Sequence, residues 1–210
     1  MNKKLILPYI ISIILLVLLA YHSYINKTGW FKEIIITIVV ITLFLLTSKK
    51  TYITPLIFSL LCADLVLNAL GTFGFYYKSP LPLGYDRLTH FFGFFGFTLF
   101  SYNYLTHKKI NLPTITVFIL VFLVSLGLGA LMEISEYYSA ILSNVSDINS
   151  AALAGPTFGT SNYAYNTNII GQDPWINTMQ DLISNSLGSL TAIFMIFLYK
   201  TFKKNISFKQ

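Results

Sequence analysis

The stretch YDRLTHFFGFFGF, residues 85–97, places an acid, an arginine and a histidine directly ahead of a run of phenylalanines and glycines. Asp86 and His90 are four residues apart, so in a helix their side chains lie on one face. Carboxylates and imidazole suit Mg²⁺, Mn²⁺ and Zn²⁺, and a bound metal ion can activate water. The pattern predicts a cation site, and Arg87 beside it is a base that could hold a phosphate.

Acidic residues further along the chain have similar helical spacing. Glu133 and Glu136 are three residues apart and share a face. Another polar stripe recurs every four residues, at Asp173, Asn177, Asp181 and Asn185. The candidate ligand-binding residues are Asp64, Asp86, Arg87, His90, Glu133, Glu136, Asn177, Asp181 and Asn185. The candidate metal ligands are Asp86, His90, Glu133, Glu136 and Asp181, and the candidates for acid–base catalysis are His90, Glu133 and Asp181.

Composition indicates where such a site must lie. The 210 residues are 55% hydrophobic and only 10% charged, whereas a soluble domain is about a quarter charged. The chain therefore reads as an integral membrane protein with a single membrane domain, residues 1–210. Its single cysteine, Cys62, excludes an intrachain disulfide and a cysteine-rich metal site.

Apolar runs near the length that crosses a bilayer as helix predict an all-α bundle of six transmembrane helices. The predicted spans are residues 5–24, 30–47, 52–70, 85–105, 112–138 and 179–199. The first run could instead be a signal peptide. Because it is long and lacks a clear small-x-small cleavage site, a retained span is favoured.

The distribution of lysine and arginine predicts the orientation of the bundle. With both termini cytoplasmic, ten of the 14 basic residues fall on cytoplasmic segments. The lysines then lie near anionic lipid at the cell (inner) membrane, which removes nucleic acid as the partner that a high pI would suggest. The longest loop, residues 139–178, is outside and carries no lysine or arginine. It is either a mobile surface loop or a lid.

This topology places acids from four separate spans at one membrane depth. Asp64, Asp86, Glu133 and Asp181 all fall towards the outer ends of their helices, so we expect an outward-facing polar chamber. A charge near bilayer depth costs ~2.5–3.5 kcal/mol on insertion scales, and the acids here outnumber the nearby bases. Some carboxylates are protonated, a cation is bound, or the chamber is filled with water.

The function classes follow from this chamber. The first is a pocket that binds a cation, such as a divalent metal, or the polar headgroup of an envelope lipid. Its boldest form is a metal-assisted hydrolase or transferase on such a lipid, although no HExxH, CxxC or serine nucleophile motif specifies a reaction. The rival is a non-enzymatic structural or transport protein whose acids form a structural network. Each acid alone is also compatible with a purely structural role.

Three blocks of sequence, YDRLTHFFGFFGF, LMEISEYY and DPWINTMQDLISNSLGSLTA, resemble the VanZ-like and YjdF-like families of bacterial inner-membrane proteins, more closely the YjdF-like. The resemblance covers about residues 52–200 and implies a membrane protein with no settled reaction. It marks Asp86, Arg87, His90, Phe94, Glu133, Glu136, Asp181, Asn185 and Gly188. Asn177 stands where the YjdF-like pattern usually has aspartate, which implies weaker cation binding or proton transfer at that position.

Overall fold

The computed structural model describes residues 3–26, 31–71, 75, 84–108, 112–143 and 174–207, with backbone alone for residues 33, 136–143, 174–177 and 204–207. Within these ranges the chain is helical and contains no strand. A short 3₁₀ turn, Lys3–Leu5, leads into the first of six α-helices. The helices are α1 (Ile6–Ile25), α2 (Phe31–Thr47), α3 (Pro55–Leu70), α4 (Tyr85–His107), α5 (Thr114–Ser143) and α6 (Pro174–Ser207). The predicted all-α bundle of six helices is confirmed.

The helix boundaries differ from the predicted spans at several ends, and the sixth helix continues to Ser207. The third helix begins at Pro55, because the Thr54 side chain caps it by accepting a 3.3 Å hydrogen bond from the Ile57 amide. It therefore starts three residues after the predicted span. The fifth helix continues to Ser143 and the sixth begins at Pro174, so both ends of the predicted loop 139–178 are helical. Residues 144–173 lie outside the described part of the chain.

Three described helical segments are long and apolar enough to cross a membrane: Lys3–Ile25, Thr114–Ser135 and Thr178–Lys203. The shorter helical segments Ile34–Thr47 and Pro55–Leu70 are also apolar. Helix α4 does not reach the same apolarity, although its 23 residues are long enough. It packs against α3, α5 and α6, so its polar side chains contact neighbouring helices rather than lipid.

The helices form two groups that meet at α3 and α4. Helices α1, α2 and α3 pack on one another, and α4, α5 and α6 do the same. The first group shares an apolar core. Its buried side chains are Leu5, Leu16, Ala20, Ile34, Ile41, Leu45, Ile53, Ile57, Phe58, Leu61, Cys62, Val66 and Ala69. In the second group about half of the buried side chains are polar, and these polar side chains carry the candidate site.

Contacts between helix ends define two ends of the bundle. At one, Asn103 near the end of α4 donates a hydrogen bond to the Tyr52 carbonyl before α3. Tyr102 of α4 lies there against Phe118 of α5, with Lys200 of α6 over its ring. We call this the lysine end, and the end where α4 begins the acid end. The assignment of the acid end to the outer face of the membrane stays a prediction.

Candidate functional site

Helices α4 and α6 approach so closely that their backbones touch. A Cβ atom placed on Gly188 of α6 would lie 2.1 Å from the carbonyl oxygen of Phe91 in α4. Only glycine fits there, and such small residues are what lets membrane helices approach closely. The contact brings the first turns of α4 alongside those of α6, which carry Asp181 and Asn185.

His90 is the centre of the polar cluster at the acid end. Its Nδ1 atom lies 3.0 Å from Oδ1 of Asn185 on α6 and 3.5 Å from Oε1 of Glu133 on α5. On the other side of the ring, Nε2 lies 3.6 Å from Oδ1 of Asp86, one turn earlier on α4. The imidazole therefore joins three helices, and its two nitrogens face different partners.

The partners of His90 determine which of its two ring nitrogens carries the proton. Oδ1 of Asn185 can only accept a hydrogen bond, so in this arrangement Nδ1 of His90 carries a proton. In the neutral ring Nε2 then presents a lone pair towards Asp86. Metal-binding histidines have this form, with one nitrogen free for the ion and the other N–H held by a carboxylate or carbonyl.

Asp86, His90 and Asp181 each offer one ligand atom, and these atoms all lie within 4.8 Å of one another. Ligands on opposite sides of a divalent cation, each at about 2.1 Å, are about 4.2 Å apart. Neighbouring ligands of one ion lie closer, about 3.0–3.4 Å apart, so these atoms would have to approach one another by up to about 2 Å to hold an ion. Asp181 is fully buried and His90 is 5% exposed, whereas the Asp86 side chain is 20% exposed and forms the side open to the surroundings.

Two buried polar atoms next to this group have no hydrogen-bond partner among the described residues: Oε1 of Glu133 and Nδ2 of Asn185. Nδ2 of Asn185 points at Gly129 of α5, where an added Cβ would lie 2.9 Å from it. Buried polar atoms are nearly always hydrogen-bonded, to protein or to ordered water. Within the described part of the chain, these two atoms are thus available for a further hydrogen bond.

Arg87 lies beside Asp86 on α4 and donates a hydrogen bond to Oε1 of Gln180, which lies beside Asp181 on α6. The two helices are thus joined at consecutive positions, once through the cluster and once through this pair. Both Arg87 and Gln180 are half-buried, at the rim of the site.

The other predicted site residues fall elsewhere. Asp64 of α3 packs against α4 on the side that faces α3, where a Cβ on Gly93 would lie 2.9 Å from its carboxylate. It is not part of the group formed by Asp86, His90 and Asp181. Glu136 and Asn177 lie in α5 and α6, but their side chains lie outside the described part of the chain.

Several polar side chains near the site were missed from the sequence. Ser189 continues the four-residue stripe of Asp181 and Asn185, and all three are fully buried. The stripe itself was the signal for Ser189, because position 189 follows Asn185 by four residues. The hydroxyl groups of Thr98 and Ser125, 2.9 Å apart, join α4 to α5 further into the bundle. No pattern in the sequence around Thr98 or Ser125 predicts that their hydroxyl groups form a hydrogen bond.

Comparison with known proteins adds a family and one relative. The family described as "Predicted membrane protein (DUF2238)" matches residues 5–202. The "Inner membrane protein YjdF" of Escherichia coli (strain K12) is 24% identical over 184 residues, which cover 81% of this chain and 78% of that protein. No solved structure matches the chain. The YjdF-like resemblance is thus confirmed, and the VanZ-like one stays a prediction.

Proposed function

This chain belongs to the DUF2238 family of predicted membrane proteins, and we propose that it binds a divalent cation at the acid end of its helix bundle. Its Escherichia coli relative is named as an inner membrane protein, and we propose the same membrane for this chain. In the predicted topology the acid end, and with it the pocket, faces outwards.

The observation that carries this proposal is the convergence of Asp86, His90 and Asp181, whose ligand atoms lie within 4.8 Å of one another. Two carboxylate oxygens and an imidazole nitrogen suit Mn²⁺ or Zn²⁺, and fewer nitrogens would suit Mg²⁺ better. The ligands come from two helices held together at Gly188. The site is therefore built on rigid elements rather than on a loop.

Glu133 has a separate role in this proposal. Its carboxylate faces Nδ1 of His90 at 3.5 Å, on the side of the ring away from Asp86. Asn185 holds the N–H of the ring, and the nearby negative charge of Glu133 favours the proton at Nδ1, so Nε2 stays free for the cation. Glu133 was predicted as a ligand, and its position favours this orienting role instead.

Electrostatics also support a bound cation. Asp86, Glu133 and Asp181 carry up to three negative charges in a small, largely buried volume. Buried charges are costly unless they are paired or coordinate a metal. A divalent cation would offset most of this charge, and the half-buried Arg87 at the rim adds one further positive charge.

Metal analysis of the purified protein tests the proposal. The protein is incubated with Mn²⁺ or Zn²⁺, free metal is removed, and the bound metal is measured by inductively coupled plasma mass spectrometry. We expect about one ion per chain. Asp181→Asn and Asp86→Asn keep the side-chain shapes and should each lower the bound metal at least tenfold. Asp64→Asn is the matched control, because it neutralises an acid of the same type outside the group, and it should bind metal like the wild type.

Two results would contradict cation binding. One is wild-type protein that holds no metal at stoichiometric amounts under these conditions. The other is an Asp86→Asn or Asp181→Asn variant that unfolds at the wild-type temperature and still retains its metal. Asp86 is partly exposed, so its variant keeps the test informative if Asp181→Asn does not fold.

A phosphate-bearing headgroup is a second candidate ligand, favoured by Arg87 at the rim of the site. Arg87 donates a hydrogen bond to the neutral amide of Gln180. Guanidinium groups bind phosphate in two-pronged geometry. Short-chain phosphatidic acid should then bind more tightly than the matching diacylglycerol, and Arg87→Gln should reduce the difference while leaving the metal content unchanged. Equal binding of the two lipids by the wild type would exclude this candidate.

A further inference from the structure

The lysine end carries an arrangement unrelated to the acid cluster. Lys200 of α6 places its ammonium group over two aromatic rings from two other helices. The Nζ atom lies 5.3 Å from the ring centre of Tyr102 on α4 and 5.9 Å from that of Phe118 on α5. The two rings contact each other, with centres 5.8 Å apart. The ammonium therefore sits where α4, α5 and α6 meet.

Lys108, just after α4, is held in the same way. Its Nζ atom lies 5.5 Å from the ring centre of Tyr104 and 5.9 Å from that of Tyr52. Tyr52 is fixed in turn, because its ring stacks on His107 at 5.1 Å and its carbonyl accepts a hydrogen bond from Asn103. Each of the two lysines thus has its charge directed between two rings.

The two arrangements lie on different sides of α4. Tyr102 and Tyr104 are two residues apart, which is about 200° around a helix, so one ring points towards α5 and α6 and the other towards the turn before α3. We call the two arrangements the lysine clamps: Lys200 with Tyr102 and Phe118, and Lys108 with Tyr52 and Tyr104.

A ring face attracts an ammonium group from one side only. The N–H groups on the other side remain available for an anion, and Lys108 and Lys200 are both exposed. A free lysine side chain loses much rotamer freedom when it binds. A lysine already held over two rings has lost part of that freedom beforehand, and such preorganisation strengthens binding.

The surroundings of the clamps fit a lipid better than a small soluble anion. Next to Lys200 on α6, the apolar or aromatic side chains of Phe197, Tyr199 and Phe202 are all more than half exposed. Ile115, one turn before Phe118 on α5, is 65% exposed. An anion at Lys200 that carries acyl chains could therefore rest those chains on these side chains.

We propose that the two lysine clamps are binding sites for the phosphate of anionic glycerophospholipids in the leaflet at the lysine end. The charge of the lipid headgroup selects the ligand, since zwitterionic phosphatidylcholine carries a compensating positive charge. The exposed apolar surface of α5 and α6 receives the acyl chains. This proposal does not depend on a cation at the acid end.

The test compares phosphatidylglycerol with phosphatidylcholine, added to the detergent-purified protein, by native mass spectrometry of bound lipid. We expect phosphatidylglycerol to bind with clear preference. In Lys108→Gln/Lys200→Gln its affinity should fall about fivefold for each lysine, because each one loses a direct charge-assisted contact with the lipid phosphate. The matched control is Lys49→Gln/Lys203→Gln, which removes the same charge at the same end from lysines with no described cation–π contact, and it should fall less than twofold.

A second variant tests whether the aromatic rings of a lysine clamp contribute to lipid binding beyond the charge of the lysine. Tyr102→Leu removes a ring under Lys200 and leaves every charge in place, so it should weaken phosphatidylglycerol binding by two- to fivefold. Equal loss in the clamp and control double variants would overturn the proposal, because general charge would then explain the binding. Equal binding of the two lipids by the wild type would also overturn it.

Discussion

The two helix groups bury different kinds of side chain. In α1–α3 the core is apolar, with Phe58, Leu16 and Ile41 fully buried. In α4–α6 the fully buried side chains include Asp181, Asn185, Ser189, Thr98 and Ser125. The membrane surrounds both helix groups. Among the described residues, only the α4–α6 group has buried carboxylate and amide side chains in its interior that could bind a ligand.

The membrane environment explains why this difference is informative. Lipid tails are as apolar as leucine, so an apolar interior gains packing but little hydrophobic stabilisation. A polar interior adds a desolvation cost that packing must offset. The polar interior of α4–α6 offsets part of this cost through interhelical hydrogen bonds, and the binding function that we propose would be a second reason to keep it. The α1–α3 group then serves as the support on which α4 rests.

The largest effect that we predict tests how α4 and α6 are joined. In Gly188→Ala the new methyl group would lie 2.1 Å from the Phe91 carbonyl oxygen, which belongs to the backbone and cannot rotate away. We expect the helix pair to separate and little monodisperse protein to be recovered, a loss above about 3 kcal/mol, the upper end for overpacked sites. Size-exclusion chromatography in detergent measures this.

Gly127→Ala is the matched control for that prediction. Gly127 lies on α5 with nothing within 4 Å of its added Cβ, so the variant should elute and unfold like the wild type. Equal behaviour of the two variants would show that the close contact of α4 and α6 is not required.

A cavity in the apolar core of α1–α3 should lower the stability of these helices. Phe58→Ala removes a fully buried ring from α3 and should destabilise the protein by about 3 kcal/mol, the lower end for such changes in soluble cores. Lipid replaces the lost contacts only poorly. The single cysteine, Cys62, is buried in the same core, so its reaction with a maleimide on heating reports the opening of this group.

Leu56→Ala serves as the control, since Leu56 lies two residues earlier on α3 and is 68% exposed. Its labelling temperature should stay within about 2 °C of the wild type, as expected for a surface change. If Phe58→Ala left Cys62 equally protected, the apolar core would not hold α1–α3 together.

The smallest effect concerns a pair of hydroxyl groups in the polar interior. Thr98→Val leaves the buried Ser125 hydroxyl without its 2.9 Å partner, which should cost about 1–2 kcal/mol. The double variant Thr98→Val/Ser125→Ala removes both polar groups and should regain most of that stability. Thermal unfolding of the two variants measures the difference. Additive losses would show that the pair is not coupled.

The sequence predicted the elements of this fold well, for reasons that can be stated. Long apolar runs require helices in a membrane, and the spacing of Asp86 and His90 places them on one face. These inferences are local, and the structure agrees with them. The N-cap function of Thr54 determines where α3 starts. Apolar composition alone predicts a start at Tyr52, because it does not detect the cap.

The composition of the candidate site was harder to predict, because it depends on how each helix is rotated against its neighbours. Asp64 lies against Gly93, which follows His90 by one turn of α4, yet its carboxylate is not part of the group formed by Asp86, His90 and Asp181. Glu133 approaches the imidazole from the side away from Asp86. The depth of a residue in the membrane follows from its position along the helix. The neighbour that its side chain contacts depends on how the helices pack against one another, and local sequence does not determine that packing.

An experimental structure of the protein with Mn²⁺, with anomalous scattering recorded, tests the central claim most directly. We expect one anomalous peak in the acid end, about 2–2.5 Å from ligand atoms of Asp86, His90 and Asp181, with Nδ1 of His90 still on Asn185. Ordered side chains at these positions with no metal peak between them, or carboxylates turned away towards lipid, would contradict it.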